Sequence, residues 1–421
     1  MKRIAVIGAG VTGVTTAYAL IQRGFDVTVF DRHRYAAMET SFANGGQLSV
    51  SNAEVWNNVA TLAKALRWML RRDAPLLLNP APAWHKYTWI YEFLRQIPSY
   101  RANTIETVRL ALQARQHLFS IAAKEGIHFD LERRGILHIY HDRKGFEAAA
   151  AVNSLLREAG LERNAVAEGE IRSIEPALQG SYYGGFFTPS DSTGDIHKFT
   201  RGLAAACERL GVDFHFDAHI TSIARDPSGL FTVTSDHRSQ DADSHDIRDH
   251  RFDAIVICAG VMSRQFAAML GDYVNIYPVK GYSITVCLDE EDSRNAAPWV
   301  SLLDDSSKIV TSRLGKDRFR VAGTAEINGY NRDIRADRIA PLVDWTRRHF
   351  PGVATSRVIP WAGLRPMLPS MLPRVGRGKL PNVFYNTGHG HLGWTLSAAT
   401  AETIAGVIAR SATVTAHLPP A

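Results

Sequence analysis

Short apolar runs alternate with longer amphipathic stretches along most of the 421 residues. The first run, Ile4 to Ile7, sits between basic residues and a glycine, which predicts a buried parallel strand. Val14 to Arg23 is rich in helix-compatible residues and stops at Gly24, and Asp26 to Phe30 predicts a second strand closing on Asp31. Residues 103–125 predict an amphipathic helix ending at Gly126. Gly135 to Tyr140 alternates like a strand, and Phe146 to Ala159 is alanine-rich and helical. Asp195 to Leu210 predicts a helix stopped by Gly211, with a strand from Val212 to Phe216. Phe231 to Thr234 predicts a short strand, whereas the polar, charged Ser235 to His250 reads as an exposed hairpin loop. Phe252 to Gly260 predicts a second buried strand that ends in small residues. Segments 279–287, 308–312 and 318–323 predict an antiparallel sheet, and Ile334 to Phe350 a helix. A last strand over 381–386 leads through a glycine-rich turn into a helix from Leu396 to about Ala409.

The join between the first strand and the first helix carries chemistry. Gly8, Gly10 and Gly13 spell G-x-G-x-x-G, with Ala9, Val11 and Thr12 between them. Gly8 permits a tight turn, Gly10 lets backbone approach a pyrophosphate, and Gly13 lets helix and strand pack closely. The helix N-terminus adds unpaired N–H groups and a positive dipole end. Asp31, at the end of the second strand, suits the hydroxyls of an adenosine ribose. Strand, glycines, helix, strand and acid in this order predict a dinucleotide site. They do not choose between nicotinamide and flavin.

Composition adds limits. Hydrophobic residues make up 45% and charged residues 21%, ordinary for a globular chain. No apolar run approaches the roughly 20 residues of a membrane span, and Met1-Lys2-Arg3 leads into too short an apolar segment for a signal peptide, so a cytoplasmic location is expected. Cys207, Cys258 and Cys287 are odd in number and far apart, which predicts buried thiols and no disulfide scaffold or zinc cluster. His237, His245 and His250 lack a local ligand spacing and read as part of a solvated loop, so no metal is expected. The net charge of +6 comes without a nucleic-acid motif and suits an acidic substrate or an anionic membrane surface. Residues 51–101 concentrate Trp56, Trp68, Trp84, Trp89, Tyr87, Tyr91, Phe93 and Tyr100 with seven basic residues, among them Lys64, Arg67 and Lys86. Leu62, Leu66, Met69 and Leu70 recur there at helical spacing. This block suits either a membrane interface or a helical insertion packed on its own domain.

At this point the residues resemble a known family. Ile4 to Gly13, Thr40 to Leu48, Ser192 to Asp195, Pro278 to Ser283, Gly363 to Pro369 and Gly388 to Thr395 together resemble the FAD-dependent D-amino acid oxidase superfamily. Ser41 to Ser49 and the Trp-rich stretch after it are most like its bacterial quinone-linked dehydrogenase branch. The resemblance implies an α/β fold: a Rossmann-type FAD-binding domain with an inserted α+β substrate domain on an antiparallel sheet. The boundaries expected are 1–50, 103–128, 191–267 and 357–412 for the first, 51–102, 129–190 and 268–356 for the second, and a tail at 413–421.

It implies non-covalent FAD, held by Gly8 to Gly13, Asp31, Arg32, Ser41, Asn44, Gly45, Gly46, Gln47, Leu48, Ile220, Ala259 and Gly260. Gly388, Gly390, His391, Leu392, Gly393, Trp394 and Thr395 complete that set. Asn44, Gly45 and Gly46 would turn backbone toward the flavin ring without side chains in the way. The helix starting near Thr395 would aim its positive end at charge developing on the ring. His389 and His391 read as structural, not as proton carriers.

Arg365, between Gly363 and Pro366, is the expected partner of a substrate carboxylate, a role that wants a planar two-pronged donor. Tyr282 and Tyr330 are weaker candidates, equally suited to packing. The implied reaction is oxidative deamination. The carboxylate rests on Arg365, a hydride leaves Cα for flavin N5, and the imino acid hydrolyses to a 2-oxo acid and ammonia. No general base is evident, which suits catalysis by positioning. The D configuration, and quinone or another carrier as acceptor, follow from the resemblance alone. Residues 51–101 would dock on the inner face of the cytoplasmic membrane. Three rivals stay open: an oxidase or dehydrogenase of glycine, sarcosine, proline or D-hydroxyproline, a flavin-carrying subunit of a larger complex, and an NAD enzyme.

Overall fold

The computed structural model describes residues 3–59, 61, 74–238 and 245–416. Its strands, in chain order, begin with β1 (Arg3–Ile7), β2 (Asp26–Phe30), β3 (Gln47–Leu48), β4 (Leu76–Leu78), β5 (Ile136–Tyr140), β6 (Asn164–Val166) and β7 (Gly184–Thr188). They continue with β8 (Ser192–Thr193), β9 (Asp213–His215), β10 (Ala218–Arg225), β11 (Phe231–Arg238), β12 (His245–Phe252) and β13 (Ala254–Ile257). The last are β14 (Tyr277–Cys287), β15 (Ser301–Asp304), β16 (Ile309–Leu314), β17 (Arg318–Ile327), β18 (Val358–Met367), β19 (Arg374–Arg377) and β20 (Val383–Thr387).

Three larger sheets and a two-stranded β3–β8 pair organise the chain among the described residues. One runs β19-β20-β13-β1-β2-β9, with β1 parallel to both β2 and β13. Ile4 to Ile7 are buried on both faces of it, so the apolar run is a central strand, as its pattern requires. Helix Val11–Ile21 covers this sheet and packs on the C-terminal helix Gly393–Ala416, so the two ends of the chain share one core. The second sheet runs β18-β14-β17-β16-β15-β5-β7-β6, with β4 added beside β17. Its centre, β14, is buried along its whole length. The third sheet is the antiparallel β10-β11-β12.

Most predicted elements stand within a few residues of their expected bounds, including helices Tyr100–Lys124, Arg143–Glu158, Ile196–Arg209 and Ala336–His349. Two expectations need correction. Among the described residues the polar stretch after Thr234 is strand: β11 runs on to Arg238 and β12 returns from His245, paired residue for residue. The segment Gly390–Ala412 is also long and apolar enough to span a bilayer, with a mean hydropathy of 1.2. It is mostly buried in the protein, with Leu396, Ile404 and Ala405 wholly enclosed, which accounts for its apolar content.

The block at 51–101 divides. Leu62, Lys64, Leu66, Arg67, Trp68, Met69, Leu70, Arg71 and Arg72 lie outside the described residues. Trp89 is buried in helix Trp84–Arg95, and Lys86 turns inward onto the carbonyls of Asn79 and Ala81. Trp84, Tyr87 and Tyr91 are exposed on that helix.

Candidate active site

A cavity of about 750 Å³ lies between the six-stranded sheet and the larger one. Gly8, Gly10, Val11 and Thr12 wall it where β1 meets the first helix, and Asp31 and Arg32 where β2 ends. Ile220, Ala259 and Gly260 continue this wall, and Gly390 to Thr395 bring the start of the C-terminal helix to it. The opposite wall carries Gly281, Tyr282 and Arg365 from β14 and β18. Of the expected cofactor residues, Ala9, Gly13, Leu48 and Gly388 do not reach the cavity surface.

The glycines divide their roles as their spacing predicts. A β-carbon at Gly13 would lie 1.8 Å from the Gly8 carbonyl oxygen, so only glycine lets the helix pack on the turn. Gly8 holds φ at +107°, with Cys258 O only 2.8 Å from where a β-carbon would sit. A β-carbon at Gly10 would meet only Ser41 Oγ, at 3.5 Å, leaving space on the cavity side for a bound group. Ser41 Oγ accepts from Val11 N at 3.0 Å and caps the helix start.

Asp31 accepts from Ala9 N at 2.7 Å and His33 N at 2.9 Å, which locks the turn and leaves a lone pair on each oxygen. Burial nevertheless raises its carboxyl above the ordinary range. Arg32 lines the cavity and pairs with Glu39, which also binds His33 and Arg332.

In the Asn44-Gly45-Gly46 loop, which lines the cavity, the glycines permit close packing. It presses on the larger sheet, not on open space. A β-carbon at Gly45 would lie 2.9 Å from Val310 Cγ2, and one at Gly46 2.8 Å from Ser312 Cβ. The carbonyls of Ala43, Asn44 and Gly45 accept from Ser283 Oγ, Arg320 Nη1 and Ser312 Oγ, at 2.9, 3.0 and 2.7 Å. Gln47 donates to Ser301 Oγ at 2.8 Å and to the Leu302 carbonyl at 3.1 Å. The loop is fastened to the larger sheet by these contacts and lines the cavity.

Arg365 is the distinctive charge. It stands opposite Val279 in the β14–β18 pairing, next to the facing pair Gly281 and Gly363. Its guanidinium lies over Gly281 in the cavity wall, and the residue is half-buried. Burial pushes its pKa down to about 10, with no counter-charge to offset the effect. Among the described residues it has no hydrogen-bond or ion-pair partner, so it presents a free cationic fork to the cavity.

Both tyrosine candidates are otherwise engaged. The Tyr282 ring lines the cavity, but its hydroxyl donates to the Asp333 carbonyl at 3.4 Å. Tyr330 is 44% exposed, lies outside the cavity and donates to the Val261 carbonyl at 3.3 Å. His389 Nε2 bonds Thr400 Oγ1 at 2.9 Å, and burial pushes its pKa down to about 3. His391 is pushed down to about 4 by burial and then by the Arg365 charge. It donates to the Asn52 carbonyl at 3.3 Å and stacks on Trp56, ring centres 4.8 Å apart. Trp56 and Gly281 thus belong to the site without having been singled out. The proline-flanked Val279-Lys280-Gly281 stretch was the available signal for Gly281. Trp56 had none, since its partner is far away in sequence.

The chain is matched over residues 3–406 by the family described as DAO, FAD dependent oxidoreductase. A Mesorhizobium japonicum protein named D-amino acid dehydrogenase 3 is 60% identical over 418 residues, covering 99% of this chain and 100% of its own. The chain belongs to the DAO family of FAD-dependent oxidoreductases. A Paramagnetospirillum magneticum relative of this family, named D-amino acid dehydrogenase, is 41% identical and covers 96% of this chain and 94% of its own. Glycine oxidase from Geobacillus kaustophilus shares the fold, with a TM-score of 0.75 at 19% identity, covering 97% of this chain and 95% of its own. L-proline dehydrogenase from P. horikoshii does so at a TM-score of 0.74 and 15% identity, covering 97% and 93%.

FAD is the family's cofactor, and the cavity fits it. The open side of Gly10 has room for a pyrophosphate at a helix N-terminus. Trp394 Nε1, at the start of the second helix facing the cavity, is buried without a partner among the described residues.

Proposed function

We propose that this enzyme oxidises D-amino acids to 2-oxo acids and ammonia and passes the electrons to a quinone or another carrier. The observation that carries the reading is the unpaired guanidinium of Arg365 in a cavity shaped for FAD. A desolvated cation without a partner is costly, so the site wants an anion there, and a planar fork suits a carboxylate. The names of the relatives at 60% and 41% identity support a D-amino acid as that anion's owner.

Gly8, Gly10, Val11 and Thr12 would hold the pyrophosphate, Asp31 the adenosine ribose, and Gly390 to Thr395 the ring edge, without a covalent bond. Bound FAD supplies the hydride acceptor. Arg365 fixes the substrate carboxylate and thereby the direction of Cα–H. His391 remains neutral near pH 7, as its depressed pKa requires, and its ring, stacked on Trp56, walls the site beside Arg365. Neither it nor His389 is a proton carrier. Catalysis in this reading is orientation and water exclusion, with no base supplied by the chain.

Trp84, Tyr87 and Tyr91 recur at i, i+3 and i+7 on one helix and are 81%, 48% and 62% exposed. Such a stripe supports peripheral docking on a bilayer, where quinone resides. Anaerobic titration of the yellow protein with D- and L-amino acids, glycine and proline tests the reading. Bleaching by D-alanine and other D-amino acids supports it. Bleaching only by L-amino acids, glycine or proline replaces it.

A further inference from the structure

Three histidines that the proposed reaction does not use meet beside the six-stranded sheet. His215 ends β9, His237 lies on β11 and His250 on β12. One ring nitrogen of each lies within 4.8 Å of those of the other two. The β11–β12 register sets His237 and His250 on one face of the hairpin, since His250 pairs with Val233 and side chains alternate. That face turns toward β9: the His215 and His250 rings meet edge to face, centres 4.8 Å apart. Phe30 stacks on His215 at 5.0 Å and closes the apolar side of the cluster.

The polar contacts converge in the same place. Ser235 is fully buried, and its hydroxyl lies 3.0 Å from His237 Nε2 and 3.3 Å from His250 Nε2. One hydroxyl proton serves only one of these nitrogens as donor. Asp213 accepts from His215 Nε2 at 2.7 Å and orients that ring, as carboxylates do behind metal-binding imidazoles.

We infer that His215, His237 and His250 form a binding site for a borderline divalent transition-metal ion of the zinc class. Three imidazoles suit zinc and its neighbours, whereas calcium and magnesium want oxygen. Nitrogens around zinc at about 2.1 Å stand roughly 3.4 Å apart, so the rings need close by no more than about 1.4 Å. Water takes the fourth position. The ion joins the edge of the six-stranded sheet to the β10-β11-β12 sheet. It also braces the stretch next to Asp31, whose N–H donates to the His215 carbonyl at 3.0 Å.

Calorimetric titration of the FAD-loaded chain with Zn²⁺ alone tests this. One tight equivalent is expected, with Tm raised by zinc and restored by EDTA. The equivalent should be lost in His250→Ala and in His237→Gln. No stoichiometric binding, or an equivalent retained in both variants, overturns the site. Should the variants lose their flavin, the wild-type protein loaded with Cu²⁺ decides by electron paramagnetic resonance. Hyperfine structure from three imidazole nitrogens supports the site, and fewer than three overturns it.

Discussion

The guanidinium of Arg365 lies across Gly281, so close that a β-carbon at 281 would sit 2.3 Å from Arg365 Nη2. Gly281 is therefore what lets the arginine lie flat in the cavity. In Gly281→Ala the backbone keeps its place and the flexible guanidinium moves. Losing one charge-assisted hydrogen bond costs about 1.5–3 kcal/mol, so KM for an amino acid substrate should rise roughly ten- to a hundredfold. Flavin content should stay unchanged. Steady-state kinetics with an artificial acceptor checks this, and an unaltered KM would count against the assigned role.

Gly13 and Gly10 should fail in different ways. In Gly13→Ala the new methyl meets the Gly8 carbonyl, a backbone group that cannot step aside, so stability should fall by about 2–4 kcal/mol. In Gly10→Ala the methyl points into the cavity, so the apoprotein should keep its Tm while FAD affinity drops. Thermal unfolding of both apoproteins, with FAD titration of each, separates the two effects. A Gly10→Ala apoprotein as unstable as Gly13→Ala would contradict the division of roles.

His391 gives the pH dependence a sign. Its pKa is depressed from 6.5 to about 4 in the folded chain, so the unfolded chain binds more protons between those values. Its contribution is constant above pH 6.5, and stability falls as pH drops through the window toward 4. His389, depressed to about 3, acts in the same direction. Each such group adds about 1.4 kcal/mol of slope per pH unit. His391→Gln should flatten the decline of Tm between pH 6.5 and 4.5, and an unchanged profile would mean the imidazole titrates freely.

The exposed stripe predicts a separable membrane effect. Trp84→Ala combined with Tyr91→Ala should weaken binding to anionic vesicles several-fold at low salt, leaving turnover with a soluble acceptor unaltered. Co-sedimentation with vesicles measures it. Equal binding by wild type and variant would remove these aromatics from any docking role.

How much was legible in the sequence depended on how local the physics is. The turn from β1 into the first helix was legible, because Gly8, Gly10 and Gly13 each meet a steric demand within a few residues. The β11–β12 hairpin was not, because its outward face is as polar as a loop. β12 carries a single aliphatic side chain, Ile247, and that one is 67% exposed. The stacking of Trp56 on His391 and the seat of Arg365 on Gly281 join distant segments and leave no local pattern. Arg365 was found through its motif, but its lack of a partner shows only in the folded chain. Tyr330 looked equivalent to Tyr282 by residue type, yet a turn carries it outside the cavity.

In the proposed reaction the unpaired guanidinium of Arg365 holds the substrate carboxylate. Rapid-mixing measurement of anaerobic flavin reduction in wild type and Arg365→Ala, across a range of D-alanine concentrations, tests it most directly. The variant should stay yellow, with its half-saturating D-alanine concentration raised roughly a hundredfold or more. Reduction by D-alanine at wild-type concentrations in a flavin-loaded Arg365→Ala protein would contradict it.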